Sequence, residues 1–243
     1  MQAPESAMPI AGERFRFTRP EALFWIMRFL EIGEQPRIKV CGLTSGENAW
    51  EVVEAGVDAI GINFWPGSKR FIPADQAAPW LGELGGRVCR VGLFVNATIE
   101  EIAETVDLGV LDVIQLHGEE SPELVAEAMG FGLPVIKAVG VDQEPPVTVL
   151  RGFATRFILL DTHAPLEKGG TGRTFRWDLF RDTADEFQDR FFILAGGLTP
   201  ENVALAVVEA RPHAVDVAGG VESAPGVKDV EKVRAFVRAV RGA

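Results

Sequence analysis

The sequence predicts a closed (β/α)₈ TIM barrel preceded by an N-terminal extension. Three observations predict it: eight short apolar runs rich in β-branched residues, helical stretches between them, and run starts spaced by about 23 residues with two longer intervals. That spacing suits a strand, a tight turn and a helix of about three turns. Near-continuous apolar strands alternating with helices are typical of a parallel sheet covered by helices.

The eight apolar runs are the predicted strands of a barrel that occupies residues 37–243. They cover residues 37–41, 59–64, 88–95, 112–116, 135–139, 157–160, 191–195 and 214–218. An open doubly wound sheet is the competing architecture. Eight units in about 207 residues favour closure, and the turn that follows Cys41 lacks the Gly-rich pattern of dinucleotide-binding open sheets. A barrel of this class has its active site at the carboxyl ends of its strands, here called the mouth.

Three segments carry helix-start signals. Ser121-Pro122-Glu123 and Thr199-Pro200-Glu201 each offer a hydroxyl N-cap, a proline at the next position and an early acid. Thr98 and Glu101 have the spacing of a capping box. We expect a helix to begin directly after each of these caps.

Residues 1–36 differ from the rest of the chain. We expect a loose tail in residues 1–12 and an amphipathic helix from Pro20, with the proline at its first position. The segment has neither the pattern of a signal peptide nor that of a transit peptide. Three interpretations stay open: an extension packed on the outside of the domain, an over-called start codon, and a helix that binds a partner.

Composition and charge restrict the function classes. The 243 residues are 47% hydrophobic and carry a net charge of −11, which excludes wholesale disorder and makes nucleic acid an unsuitable partner. No apolar stretch is long enough for a membrane span, so we expect no membrane partner. Two cysteines fit a reducing compartment and hence a cytoplasmic protein. The three histidines are too far apart for a local metal cluster, so we expect no metal site.

Two residues at strand ends are candidate catalytic groups. Cys41 closes the first strand, and Asp161 follows the four apolar residues of the sixth. These strands are not neighbours in the ring, so the two side chains could face each other across the mouth and exchange protons with one ligand. Lys39 shares a face with Cys41 one layer deeper and would favour its thiolate, whereas Cys89 begins a strand and should be inert. The simpler alternatives are packing for Cys41 and loop capping for Asp161.

Paired glycines end the seventh and eighth strands. Gly196, Gly197, Gly219 and Gly220 leave backbone N–H groups uncovered at the position where such barrels bind phosphate. A short helix near Gly220 would aim further amides at the same point. An acidic protein could hold a phosphate monoester in this way without lysine; the alternative is that these glycines only make tight turns.

Other polar residues at the mouth are candidate substrate-binding groups. Arg70 suits a bidentate hold on a carboxylate, although it could equally be a solvated surface arginine. Asp216 lies beside the first strand in a closed ring and could pair with Lys39. The full set of candidates is Arg70, Gln115, His117, Asp216, and Gly170 and Gly172 of the Gly-rich loop after Asp161.

Taken together, these segments resemble the phosphoribosylanthranilate isomerase family. The matching stretches are residues 39–44, 92–96, 115–118, 160–161 with 169–172, 195–198 with 200–202, and 216–222 with 228–229. The resemblance implies a (β/α)₈ barrel that rearranges N-(5-phosphoribosyl)anthranilate to 1-(2-carboxyphenylamino)-1-deoxyribulose 5-phosphate without metal or organic cofactor. It gives Cys41 the general-base role and Asp161 the general-acid role. Arg70 would hold the anthranilate carboxylate and the glycine pairs the phosphate.

The sequence departs from the family pattern at one functional place. The family commonly has Ser-Ser-Gly where this chain has Ala218-Gly219-Gly220, so we expect weaker phosphate binding with intact chemistry. Two other functions stay open: a related histidine-pathway barrel, which typically has aspartate at the position of Cys41, and a non-catalytic phosphosugar-binding barrel. The partner is a small phosphoribosyl molecule, and the chain acts as a monomer or a homodimer.

Overall fold

A computed structural model describes residues 20–141, 146–161 and 177–243, and its main sheet is a closed parallel barrel. The strands are β1 (Arg37–Cys41), β2 (Ala59–Asn63), β3 (Cys89–Phe94), β4 (Val113–Leu116), β5 (Val135–Gly140), β6 (Phe157–Asp161), β7 (Phe191–Ala195) and β8 (Ala214–Val217). They follow one another around the ring in chain order, and β1 closes it by pairing with both β2 and β8. The predicted (β/α)₈ barrel is confirmed.

Helices pack around this barrel or, in the case of the first, across its amino-terminal end. They are α1 (Pro20–Leu30), α2 (Gly46–Glu54), α3 (Ala74–Glu83), α4 (Ile99–Asp107), α5 (Pro122–Met129), α6 (Val147–Arg151), α7 (Trp177–Asp185), α8 (Val203–Ala210) and α9 (Val230–Arg241). A 3₁₀ helix (Gly219–Val221) and a two-stranded hairpin, β9 (Glu222–Ala224) and β10 (Val227–Lys228), lie between β8 and α9. Among the described residues, no helix has the length and apolar character that crossing a membrane requires.

Two of the three predicted helix starts are confirmed. Ser121 caps α5 by accepting from the Leu124 backbone, and Thr98 forms the expected capping box at the start of α4. At the third, the predicted hydroxyl cap is present, because Thr199 Oγ1 accepts from the Glu201 N–H at 3.3 Å, but the predicted start is wrong, because α8 begins at Val203. The Asn202 side chain folds back to accept from the Thr199 N–H at 2.8 Å, so the chain makes a turn before the helix begins.

Helix α1 closes the amino-terminal end of the barrel, opposite the mouth. Ile26, Phe29 and Leu30 are buried at 3%, 0% and 7% exposure and join the apolar cluster inside the barrel. That cluster contains the first residue of six strands: Ala59, Cys89, Val113, Phe157, Phe191 and Ala214. The inner side of α1 therefore fills the space that the first residues of the strands enclose.

An ion-pair cluster holds α1 in place. Asp58, fully buried, accepts from Arg28 of α1 at 3.2 Å, from Arg241 of α9 at 2.7 Å and from the Ile38 backbone at 2.9 Å. Removing either partner would leave a buried carboxylate less compensated, which makes the cluster costly to break. Arg28 links the extension to Asp58, which lies just before β2. We propose that residues 1–36 form an extension and residues 37–243 the barrel domain.

Candidate active site

Cys41 lies at the carboxyl end of β1, on the predicted face of the barrel. Its residue exposure is 7%, and Lys39, two positions earlier, is fully buried beneath it. The β1–β8 register places Lys39 directly opposite Asp216, and the Lys39 ammonium donates to Asp216 Oδ2 at 2.9 Å. The predicted Lys39–Asp216 ion pair is confirmed, and it joins β1 to β8 one layer below the Cys41 thiol.

The groups around Cys41 shift the pKa of its thiol in opposite directions. Burial raises the pKa of the Cys41 thiol, the ammonium groups of Lys39 and Lys228 act to lower it, and the Asp216 carboxylate acts to raise it. The net pKa is above the ordinary value of a thiol. Lys39 therefore acts in the expected direction, toward the thiolate, while burial acts more strongly against it.

Asp161 ends β6 at the same face of the barrel, and a histidine lies beside it. The Nε2 atom of His117 is 3.5 Å from Asp161 Oδ2. The Gln115 amide nitrogen lies 3.0 Å from His117 Nδ1, so Gln115 orients the imidazole ring beside the carboxylate. Gln115 and His117, both predicted to point inward, thus lie beside each other, and His117 also lies beside Asp161.

A buried ion pair that sequence reasoning missed fixes the loop after β4. The Lys137 ammonium donates to Glu120 Oε2 at 2.6 Å and to the Gly118 carbonyl at 2.7 Å. Glu120 Oε1 accepts from the backbone of Asn96 and of Gly118, both at 2.9 Å. Burial would raise the pKa of Glu120, but these hydrogen bonds hold it below its ordinary value. A lysine in the middle of an apolar strand was the available signal.

Arg70 reaches the mouth from the segment between β2 and α3, and its guanidinium is already paired. Its Nε and Nη2 atoms each donate to a different oxygen of Glu222 at 2.7 Å. Its aliphatic stem passes over Gly42, whose positive φ of 83° and missing Cβ leave the room for it. Arg70 is therefore held in one orientation, and it is not a solvated surface arginine.

The glycine pairs after β7 and β8 lie against each other. Gly196 and Gly197 have φ values of 97° and 57°, in the left-handed region that favours glycine. A Cβ on Gly220 would collide with the Leu198 carbonyl, so only glycine fits where the two loops meet. The predicted short helix is the 3₁₀ helix that Gly219 begins.

Two buried oxygen atoms at the mouth have no hydrogen-bond partner in the described part of the chain, namely Gln115 Oε1 and Asp216 Oδ1. An unpaired buried polar atom is costly, which marks both oxygens as candidate hydrogen-bond acceptors. Gly170 and Gly172 of the predicted substrate loop lie outside the described residues.

Comparison with known proteins identifies the family. The family described as N-(5'-phosphoribosyl)anthranilate (PRA) isomerase matches residues 38–239 of this chain. The chain belongs to this family. The match begins at β1, so α1 lies outside it. A member from Pseudomonas syringae pv. syringae is 45% identical over 208 residues, which are 85% of this chain and 98% of the relative.

Solved structures of isomerase family members have the same fold. The crystal structure of the Thermotoga maritima isomerase superimposes with a TM-score of 0.74 at 42% identity, covering 86% of this chain and all of the other. A second isomerase structure, in complex with reduced 1-(o-carboxyphenylamino)-1-deoxyribulose 5-phosphate, gives a TM-score of 0.73 at 40% identity, again over 86% of this chain and all of the other. Family membership favours the isomerase over both alternative functions.

Proposed function

We propose that this chain catalyses the Amadori rearrangement of N-(5-phosphoribosyl)anthranilate in tryptophan biosynthesis, with Cys41 as general base and Asp161 as general acid. The observation that carries the assignment of roles is the placement of these two side chains. Both end strands of one closed barrel at its mouth, and β1 and β6 are not neighbours in the ring. A sugar ring bound between them would have one group on each side.

The proposed chemistry needs one proton donor and one proton acceptor. Asp161 delivers a proton to the furanose ring oxygen, the C1–O bond breaks, and the nitrogen lone pair forms a cationic C1=N bond. Cys41 first gives up its own proton to solvent, a loss that the ammonium groups of Lys39 and Lys228 favour. The resulting thiolate then removes the C2 proton, whose bonding electrons form C1=C2 while the C=N electrons return to nitrogen. Protonation at C1 and loss of the 2-hydroxyl proton give the ketone. Side chains make the first two transfers, so the proposal requires no metal or organic cofactor.

The substrate would be held at three places. Arg70 would bind the anthranilate carboxylate, because a guanidinium suits that planar anion. Gly196, Gly197, Gly219 and Gly220 would offer backbone N–H groups to the phosphate. The unpaired oxygens of Gln115 and Asp216 would accept hydrogen bonds from sugar hydroxyls. Gly170, Gly172 and His117 would be further substrate-binding residues, and His117 lies beside Asp161.

Turnover of the named substrate tests the proposal. Freshly made N-(5-phosphoribosyl)anthranilate should lose its anthranilate fluorescence when the full chain is added, with a rate proportional to protein concentration. The product should be 1-(2-carboxyphenylamino)-1-deoxyribulose 5-phosphate by mass and by chromatography. Binding without conversion would contradict the proposal and would favour a phosphosugar-binding protein.

Serine at position 219 should strengthen phosphate binding. A Cβ on Gly219 would lie 3.4 Å from Arg70 Nη2 and 3.9 Å from Glu222 Oε2, which are ordinary contacts, so the side chain fits. We expect Gly219→Ser to lower KM by about tenfold with kcat unchanged, since a hydroxyl–phosphate hydrogen bond is worth about 1–2 kcal/mol. Gly220→Ser is the matched control and should raise KM, because no Cβ fits there. An unchanged KM in Gly219→Ser would place the phosphate elsewhere.

The same proposal covers location and assembly. We propose a cytoplasmic protein, supported by the two cysteines, Cys41 and Cys89, both of which are free. We propose that it works as a monomer or a homodimer, because Cys41, Asp161 and Arg70 all come from one barrel and the site needs no residue from a second copy.

A further inference from the structure

The hairpin β9–β10 carries two charged residues, Glu222 and Lys228, to the mouth. Three hydrogen bonds fix this hairpin to the segment that follows β1. Thr44 Oγ1 donates to the Gly226 carbonyl at 2.9 Å, the Asn48 amide donates to the Lys228 carbonyl at 3.0 Å, and the Lys228 N–H donates to Asn48 Oδ1 at 2.7 Å. The hairpin is therefore a firm support for the side chains that it presents.

The Glu222 carboxylate is a shared acceptor for two cations. It takes both hydrogen bonds of the Arg70 fork at 2.7 Å, and the Lys228 ammonium donates to Oε1 at 2.8 Å. The side chains of Glu222 and Lys228 are 7% and 0% exposed. Burial would raise the pKa of Glu222, but the hydrogen bonds from Arg70 and Lys228 lower it to about 2. The carboxylate is thus ionised throughout the pH range in which the protein would work.

The cluster of Arg70, Lys228 and Glu222 has a net charge of about +1, because two cations share one carboxylate. Arg70 is the more accessible of the two, with a side chain that is 30% exposed, and its Nη1 makes no hydrogen bond to the described residues. The Lys228 side chain is fully buried, and its ammonium donates to Glu222 and to the Ala218 carbonyl. An anionic ligand group at the mouth would therefore meet the outer edge of Arg70.

We propose that Glu222 is a positioning residue: it holds the guanidinium of Arg70 in the orientation that receives the substrate's carboxylate, and Lys228 keeps the Glu222 carboxylate in place. This inference rests on the proposed function, in which Arg70 binds the anthranilate carboxylate. A flexible arginine loses rotamer freedom when it binds an anion. A guanidinium that is fixed beforehand avoids that loss, so the benefit of Glu222 is an increase in affinity for the carboxylate.

The test compares two ligands that differ only in the carboxyl group. They are 1-(2-carboxyphenylamino)-1-deoxyribitol 5-phosphate and the phenylamino compound that lacks the carboxyl. We expect Glu222→Gln to weaken binding of the first by about tenfold and of the second by less than about twofold. KM for the substrate should rise by a similar factor with kcat nearly unchanged. In the Arg70→Ala background, Glu222→Gln should have no further effect on either ligand.

Two further variants keep the test decisive. Glu231→Gln removes an exposed carboxylate that pairs with Arg234 and not with Arg70 or Lys228, and it should change none of these values. If Glu222→Gln does not fold, Glu222→Asp keeps the charge but is one methylene too short for both Arg70 bonds, and it should show a smaller loss confined to the carboxylated ligand.

Equal losses for both ligands, or an undiminished effect of Glu222→Gln in the Arg70→Ala background, would overturn the inference and leave Glu222 with a structural role only. Because binding is measured without turnover, the inference and the proposed function fail separately. A wild-type chain that binds both ligands but converts no substrate contradicts the function alone.

Discussion

Cys41→Ser and Asp161→Asn should each lower kcat by about 100-fold or more in the rearrangement of N-(5-phosphoribosyl)anthranilate. A serine hydroxyl is a much weaker acid than a thiol, so almost none of it is ionised to accept the C2 proton. An asparagine amide is far too weak an acid to protonate the ring oxygen, although it keeps the size of Asp161. The measurement is steady-state fluorescence at saturating substrate, with binding of the carboxylated ligand followed in parallel.

The second cysteine provides a matched control for this result. Cys89 is fully buried at the amino-terminal end of the barrel, and burial raises its pKa well above the ordinary value of a thiol. Cys89→Ser should cost stability but leave kcat within about twofold when the rate is expressed per folded molecule. A near-normal kcat in Cys41→Ser or in Asp161→Asn would remove that residue from the mechanism.

Phe29→Ala should lower the free energy of unfolding by about 3–5 kcal/mol, which is the usual cost of emptying a buried aromatic site. Phe29 is fully buried among the side chains that begin the strands. For a chain of this size the loss corresponds to a fall in melting temperature of about 10 °C. Kinetic constants at a permissive temperature should not change, since Cys41 and Asp161 lie at the other end of the barrel.

The same helix provides the control for Phe29. Phe24 is 59% exposed on the outer side of α1, and Phe24→Ala should change stability by no more than about 0.5 kcal/mol. A chain starting at Gln35 should lose the contributions of Ile26, Phe29 and Leu30 together and melt lower still. An unchanged melting temperature in this truncated chain would show that α1 has no part in the barrel's stability.

Much of the barrel could be predicted from the sequence, because its strands are buried on both faces. The run at 37–41 and the strand β1 coincide, and so do the run at 191–195 and β7. Burial on both faces makes each strand apolar along its length, and turns with polar or glycine residues separate it from the next helix. The Lys39–Asp216 pair was predictable for a related reason, since ring closure places β8 beside β1.

Contacts that depend on how distant segments return to the barrel were not predictable. The amphipathic pattern of α1 indicates a helix with one apolar side, but it does not indicate which surface that side covers. Glu222 and Arg70 are separated by 152 positions and meet only because a hairpin turns back over the mouth. The start of α8 was missed for a local reason, since residues 200–202 form a turn in which Asn202 Oδ1 accepts from the Thr199 N–H.

The placement of α1 has a practical consequence for anyone who handles this enzyme. Because α1 closes the amino-terminal end of the barrel, a solid support or a carrier protein attached there would leave the mouth accessible to the substrate. The loops around Cys41 and Asp161 could then be redesigned for new substrates, while the packed side chains at the amino-terminal end keep the barrel folded.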